Sequence, residues 1–331
     1  MMASFGASKR FRGFCGLVVF LGLALADGAH PQSYPARPIR VVVPFGPGGS
    51  SDVVARIVVD GAAEALGQPL VIENVPGAGG NIGTARVAKA APDGYTLVEC
   101  TIGTCAINPS IYASTGYDLQ KDFVPVFLVG GVMNIFTVHP STAIKSIADL
   151  VAHAKANPGK LPAAIGAVGS SNHLTPVWFA SIAGIEMLWV PFKGAGDAIT
   201  ALLGGQVMMF VDNEPSILPQ ITSGKARPLA VTGPRRSTYL PNVPTMEELG
   251  YKGFVVEPWY GFMSPHGTPR AAVEKLNAAL NAAIQNPRIK KRLEEAGLRL
   301  VGGAPERLGE QIRGESERWA KVVKASNVKV E

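Results

Sequence analysis

The chain has 331 residues, with 31 Lys and Arg against 25 Asp and Glu for a formal charge of +6. Lys9, Arg10 and Arg12 belong to the extreme N-terminus, which leaves 28 basic against 25 acidic side chains, near +3, and excludes the basic footprint of a nucleic-acid binder. The length is enough for two domains with their own hydrophobic cores, and three cysteines are too few for a disulfide-stapled scaffold.

Residues 1–26 read as a signal peptide, because Lys9, Arg10 and Arg12 precede the apolar run Leu17 to Ala26 and Ala24-Leu25-Ala26 has the A-x-A form of a cleavage site. That run is short for a bilayer span, and Cys15 lies ahead of it, so a lipid anchor is not expected. The expected location is the periplasm. After a proline-rich leader, Pro31 to Pro38, strand and helix patterns alternate: a buried strand Ile39 to Val43, a helix Asp52 to Leu66 stopped by Gly67, and strands Leu70 to Glu73 and Tyr95 to Cys100. Such βαβ order predicts a parallel sheet covered by helices, an α/β fold. Phe123 to Val129 and Val255 to Ser264 read as links between two lobes. Between them lie strands at Asn134 to Val138, Ala163 to Ile165, Met187 to Val190, Gln206 to Val211 and Leu229 to Val231, with helices at Ile147 to Ala156, Leu174 to Ala183 and Asp197 to Leu203. Three helical segments close the chain: Val273 to Ala283, Pro287 to Ala296 and Pro305 to Ala325. The predicted division is 27–130 with 255–331 as the first lobe and 131–254 as the second.

The most informative stretch is Pro44-Phe45-Gly46-Pro47-Gly48-Gly49-Ser50-Ser51-Asp52, a glycine-rich loop between a strand and a helix. The first turn of a helix presents N–H groups without intrahelical partners at the positive end of the macrodipole, so such a loop can hold a carboxylate without arginine. The design recurs at Pro76 to Gly83, Gly169 to His173 and Lys193 to Asp197. Each alone also fits an ordinary N-capped turn, but four together suggest one shared pocket at the carboxyl ends of the strands.

Catalytic patterns are lacking. There is no G-x-S-x-G, H-E-x-x-H, G-K-[ST] or C-x-x-C, and His30, His139, His153, His173 and His266 have no metal-ligand spacing. Neither metal nor cofactor is expected. In Gly77 to Gly83 the last glycine falls one position late for G-x-G-x-x-G, and no acidic residue follows about twenty positions on. Asp52 heads a helix and Asp212 ends a strand, positions that suit structural roles better than an acid/base pair. Cys100 and Cys105 either pair, if the chain bends back after the strand, or remain two small thiols.

Taken in order, Pro44-Phe45-x-x-Gly48-Gly49-Ser50-Ser51-Asp52, Glu73-Asn74-x-Pro76-Gly77-Ala78-Gly79-Gly80-Asn81-Ile82-Gly83, Ala91 to Leu97, Ala106-Ile107-Asn108-Pro109, Lys193-Gly194 and Leu203 to Val207 resemble the Bug family, extracytoplasmic receptors of tripartite tricarboxylate transporters. The resemblance implies a two-lobed periplasmic-binding-protein fold of type II topology, with two crossing strands as a hinge and one ligand carboxylate held by backbone N–H groups and bridging waters. Carried onto this chain, the ligand residues would be Phe45, Gly48, Gly49, Ser50, Ser51, Asp52, Gly79, Gly80, Asn81, Thr104, Cys105 and Asn108 from the first lobe. The second would add Ser170, Ser171, Asn172, His173, Lys193, Asp212 and Asn213. Cys105 and Phe192 replace a histidine and a tyrosine usual in the family, which predicts a more apolar cleft suited to aromatic or alkyl acids.

The expected function is therefore a monomeric binding protein, not an enzyme, that captures a small organic carboxylate for membrane permease subunits and has no nucleic-acid partner. A sensor presenting its ligand to a signalling receptor is the alternative. A periplasmic enzyme acting on a carboxylate through Asp52, His173 or Cys105 is the other class.

Overall fold

The computed structural model describes Met1 and residues 34–326, so the expected signal peptide lies outside the described residues. The chain divides into two units, Met1–Ala36 and Arg37–Glu331, and both β-sheets belong to the second. In chain order its elements begin with β1 (Ile39–Val43), α1 (Ser50–Leu66), β2 (Leu70–Asn74), α2 (Asn81–Ala88), β3 (Thr96–Thr101), α3 (Asn108–Ile111) and β4 (Phe123–Gly131). A second group follows: β5 (Asn134–Val138), α4 (Ile147–Ala156), β6 (Pro162–Ile165), α5 (Ser171–Ala183), β7 (Leu188–Pro191), α6 (Ala195–Leu203), β8 (Met209–Asn213), α7 (Glu214–Thr222) and β9 (Arg227–Val231). The chain then returns through β10 (Trp259–Pro265), α8 (Arg270–Gln285), α9 (Pro287–Glu295), β11 (Arg299–Leu300) and α10 (Glu306–Ser326).

The first sheet has the order β11-β4-β10-β3-β1-β2 and the second β7-β6-β8-β5-β9. Ile39, Val41, Val42 and Val43 are fully buried, and β1 pairs in parallel with β2 and β3 on either side, the covered centre that its unbroken apolar run requires. Each sheet carries one inserted antiparallel strand. β10 lies between β3 and β4, and β5 lies between β8 and β9. β5 is the first strand after the chain leaves the first sheet, and β10 is the first after it returns, so each crossing delivers a strand into the middle of the sheet it enters.

The apolar segments expected as links prove to be mostly sheet. The crossings themselves are the short pieces Val132–Met133 and Val255–Pro258, joined side by side by the Val132 N–H donating to the Pro258 carbonyl at 2.7 Å. Helix α7 is not among the expected elements: Asn213, Glu214 and Pro215 give it a start signal, but Pro219 falls inside it and would ordinarily end a helix. Among the described residues no helix is long and apolar enough to cross a membrane.

Helix α1 fixes the geometry of the first loop. Its buried stripe includes Val54, Ala55, Val58 and Ala62, and it stops where Gly67 adopts φ 66°. Gly61 lets α1 press against α8 and α9: a Cβ there would stand 2.8 Å from Ile289 Cγ1 and 3.0 Å from Ala283 Cβ. Gly61→Val is therefore expected to lower stability by about 1 to 3 kcal/mol through overpacking, read as a lower urea midpoint with an unchanged slope.

Candidate functional site

Helices α1, α5, α6 and α7 begin around one cavity between the two sheets, lined by Gly49, Ser50 and Ser51 at α1, Ser170, Ser171 and Asn172 at α5, Ala195 at α6 and Asn213 at α7. None of these four termini carries a side-chain cap, a lack shared with α2 and α8 elsewhere in the fold, while α4 and α9 are capped by Ser146 and Asn286. Among the described residues no charged side chain lines the cavity. Its volume is about 40 Å³, room for a few water molecules. The positive character comes from oriented peptide groups alone, which favours an anion at the centre.

In the first loop Phe45, Gly49, Ser50 and Ser51 line the cavity, while Gly48 and Asp52 support them. The Asp52 carboxylate accepts from Gly48 N–H at 3.1 Å, Asn74 Nδ2 at 3.0 Å and Arg56 Nε at 3.0 Å, which braces the loop from behind. Burial pushes the Asp52 carboxyl up, but the hydrogen bonds from Arg56, Gly48 and Asn74 outweigh it and hold the group below its usual range. Gly79, Gly80, Asn81, Thr104 and Asn108 stand one layer back. Asn108 Nδ2 donates to the Gly79 carbonyl at 2.9 Å and to Asn81 Oδ1 at 2.7 Å, and Thr104 Oγ1 accepts from Thr101 N–H at 3.2 Å.

Cys105 is bonded to Cys100 with their Cα atoms 5.9 Å apart, and both are fully buried, so the pairing left open by the sequence is made and no thiol faces the cavity. Phe192 is half-buried against the core of the second sheet and does not line the cavity either. The apolar cleft expected from these two residues is thus corrected: neither reaches it.

From the second sheet, Ser170, Ser171, Asn172 and Asn213 line the cavity, and His173, Lys193 and Asp212 do not. Lys193 is exposed, and Ala195 from its loop takes the lining position. His173 Nδ1 accepts from the Gly169 N–H at 3.2 Å, and burial lowers its pKa to about 4, so the ring is neutral and structural. Asp212 is fully buried and accepts from Ser216 Oγ at 2.6 Å, Asn213 N–H at 2.8 Å and Asn172 Nδ2. Burial raises it to about 6, against the pull of those hydrogen bonds.

Both sides meet across the cleft. With the Ser216 proton committed to Asp212, Ser50 donates to Ser216 Oγ at 2.7 Å, and Asn213 Nδ2 donates to Tyr260 Oη at 2.8 Å. Gly79 (φ 64°) and Gly169 (φ 93°) mark the closest approach: a Cβ on the first would run into the Val168 carbonyl, and one on the second into the Asn108 side chain. Sequence reasoning missed Thr101, Ile102, Gly103 and Pro258-Trp259-Tyr260, which also line the cavity. The aromatic pair is visible in the sequence but reads there only as part of a link. Trp259, one of these lining residues, is buried, and its indole N–H has no hydrogen-bond partner among the described residues.

His173 supplies a pH signature. Its folded pKa lies below the unfolded value near 6.5, so its contribution is fully present above about pH 6.5 and is lost as pH falls toward 4, by up to about 3 kcal/mol. His173→Asn, which keeps an acceptor for Gly169, is expected to flatten that part of the stability profile in urea titrations between pH 4 and 7.

Comparisons with known proteins give the family. The profile of the tripartite tricarboxylate transporter family receptors matches residues 54–328. Protein BugT of Bordetella pertussis is 40% identical over 317 residues, 95% of this chain and 97% of BugT. Rpa4515 of R. palustris, solved with adipate, superposes with a TM-score of 0.87 at 35% identity, covering 89% of this chain and 99% of that one. MatC (Rpa3494) of Rhodopseudomonas palustris, with bound malate, gives 0.84 at 33% identity, covering 88% and 100%. With a mixed α/β fold on two sheets, these matches along nearly the whole described chain place it among the periplasmic solute-binding proteins, and the chain belongs to the tripartite tricarboxylate transporter receptor family.

Proposed function

We propose that the protein captures a small organic carboxylate in the cavity between its sheets and presents it to the membrane permease subunits of a tripartite tricarboxylate transporter. The carrying observation is the convergence of four helix N-termini without side-chain caps on a cavity with no charged lining. Family relatives solved with adipate and malate support the same ligand class. One carboxylate would sit between the Gly49–Ser51 and Ser170–Asn172 segments, with the Trp259 indole N–H as a further donor and Asp52, Asn81, Asn108, His173 and Asp212 holding the loops in place.

In this reading 27–130 with 255–331 form one lobe and 131–254 the other. They pivot on the paired crossings at Val132–Met133 and Val255–Pro258, and the protein acts as a monomer in the periplasm after removal of residues 1–26. It performs no chemistry on its ligand. No Asp, Glu, His, Lys or Cys lines the cavity, and the Cys105 sulfur is bonded to Cys100, so the groups an enzyme would need are turned to structural work.

A thermal-shift screen of protein refolded to strip carried-over ligand tests the reading. An acid at about 100 times its Kd stabilises by ~2.7 kcal/mol, several degrees for a chain of this size; shifts are expected from dicarboxylates such as adipate and malate and none from neutral sugars. A sugar hit with silence from every acid sinks the proposal. Trp259→Phe is expected to weaken the best acid about tenfold by calorimetry, the worth of one hydrogen bond to a charged group. Gly169→Ala should weaken every ligand alike, because its Cβ obstructs the closed contact and not the pocket.

A further inference from the structure

Behind the cavity lies a carboxyl that the binding scheme leaves unused. β3 and β10 run antiparallel with Thr101 opposite Tyr260 and Glu99 opposite Phe262. Residues two apart on a strand share a face, as do directly opposed residues. Thr101 and Tyr260 line the cavity, so Glu99 projects from that same face one step deeper. It is fully buried, and among the described residues no hydrogen bond of ordinary geometry reaches either of its oxygens, the Ser51 hydroxyl standing beside them. Its neighbouring hydroxyl is Ser51, in the first turn of α1, the helix whose N-terminus opens on the cavity.

The titratable groups facing Glu99 are Asp52 on α1 and Tyr260 on β10, with Asp212 acting on Tyr260 from the second sheet. None of them is a cation. The arginines of the elements packed against β3 are committed elsewhere: Arg40 and Arg86 to Glu73, and Arg56 to Asp52. Burial pushes the Glu99 carboxyl well above its usual range, the Ser51 hydroxyl pulls it back, and Asp52 pushes it up further.

We infer that Glu99 is a proton-coupled gate on anion binding: the site accepts a carboxylate only while Glu99 carries its own proton. The inference rests on the carboxylate reading above. An ionised Glu99 would be a second anion against the same helix terminus, in a water-poor setting where like charges repel strongly, and it would itself draw on the dipole offered to the ligand. A neutral carboxylic acid does neither. Ligand binding then takes up one proton, which moves from solvent to the Glu99 carboxylate and leaves no other group changed. Affinity is constant while the free protein already holds that proton, and it falls as pH rises past that point, at a limit of about tenfold per pH unit.

The experiment is isothermal titration of the refolded wild type and of E99Q with adipate and with malate, at about pH 5.5, 7 and 8.5 and in buffers of different ionisation enthalpy. For wild type the expected result is an affinity at least about tenfold weaker at pH 8.5 than at pH 5.5, with net proton uptake on binding at the higher pH. E99Q, whose amide is neutral and of the same size, is expected to lose the part of that slope which Asp212 does not explain, and with it the proton uptake. Infrared difference spectra of the ligand-free proteins give a second reading, in which wild type at pH 7 shows a carboxylic-acid C=O band that E99Q lacks. Parallel pH profiles in the two proteins, or an ionised Glu99 at pH 7, overturn the gate. Failure of both acids to bind either protein at any pH overturns the carboxylate reading and the gate with it. Should E99Q not fold, wild-type affinity that stays constant, without proton uptake, up to a pH at which the infrared band shows Glu99 ionised in the free protein is by itself sufficient to reject the inference.

Discussion

A cavity ringed by peptide dipoles, with no cation among the described residues that line it, is the constraint on which the rest of the structure depends. Each helix terminus contributes about 0.3 to 2 kcal/mol toward a negative charge, depending on burial, so a useful site needs several, aimed at one point from different directions. That requirement explains why the lining is Gly, Ser and Asn at α1, α5 and α7, and why the charged residues nearby face away. Asp52 braces its loop from behind, Asp212 organises Asn172, Asn213 and Ser216, and Lys193 stays in solvent. A cation in the cavity would pair with a carboxylate at any angle. Fixed N–H groups select by position, which suits discrimination among small acids of similar charge.

The termini belong to two different sheets, so the site exists only when the two sides meet. Few bonds hold them there. The Ser50–Ser216, Asn213–Tyr260 and Tyr112–Val168 hydrogen bonds cross the cleft, each worth about 1 kcal/mol net. Gly79 lets the Val168 carbonyl, and Gly169 the Asn108 side chain, come close without adding attraction. So few bonds make a weak seam, and on the proposed reading a bound acid would strengthen it by bridging N–H groups of both sides.

Much of this was legible in the sequence. The glycine-rich loops before helices gave three of the four termini in the cavity, and their unpartnered first-turn N–H groups pointed to backbone recognition. Alternation of apolar strands with amphipathic helices predicted the α/β architecture, with boundaries off by one to three residues, as at α1 and β8. What escaped was non-local. Trp259 and Tyr260 reach the cavity because β10 is inserted between β3 and β4, a pairing that no local pattern announces. Asp52 and His173 sit in the right loops yet turn inward, since a short polar side chain at a helix start can serve its own backbone as easily as a ligand. Glu99 could not be singled out, because a lone acidic residue in an apolar strand looks the same whether it faces solvent or the interior. Helix α7 was hidden by Pro219.

The exchange of strands at the two crossings has a consequence for the order in which the protein can form. β3 and β4 are complete once residue 131 has been made, but the strand that joins them is β10, more than a hundred residues later in the chain. The first sheet therefore remains two unconnected pieces until the second half of the protein is present. Contacts of that sequence separation slow folding, because a long loop must close before the pairing is rewarded. A chain built this way cannot close its first sheet from one end to the other until nearly all of its length has been made, so its two halves reach their final form together.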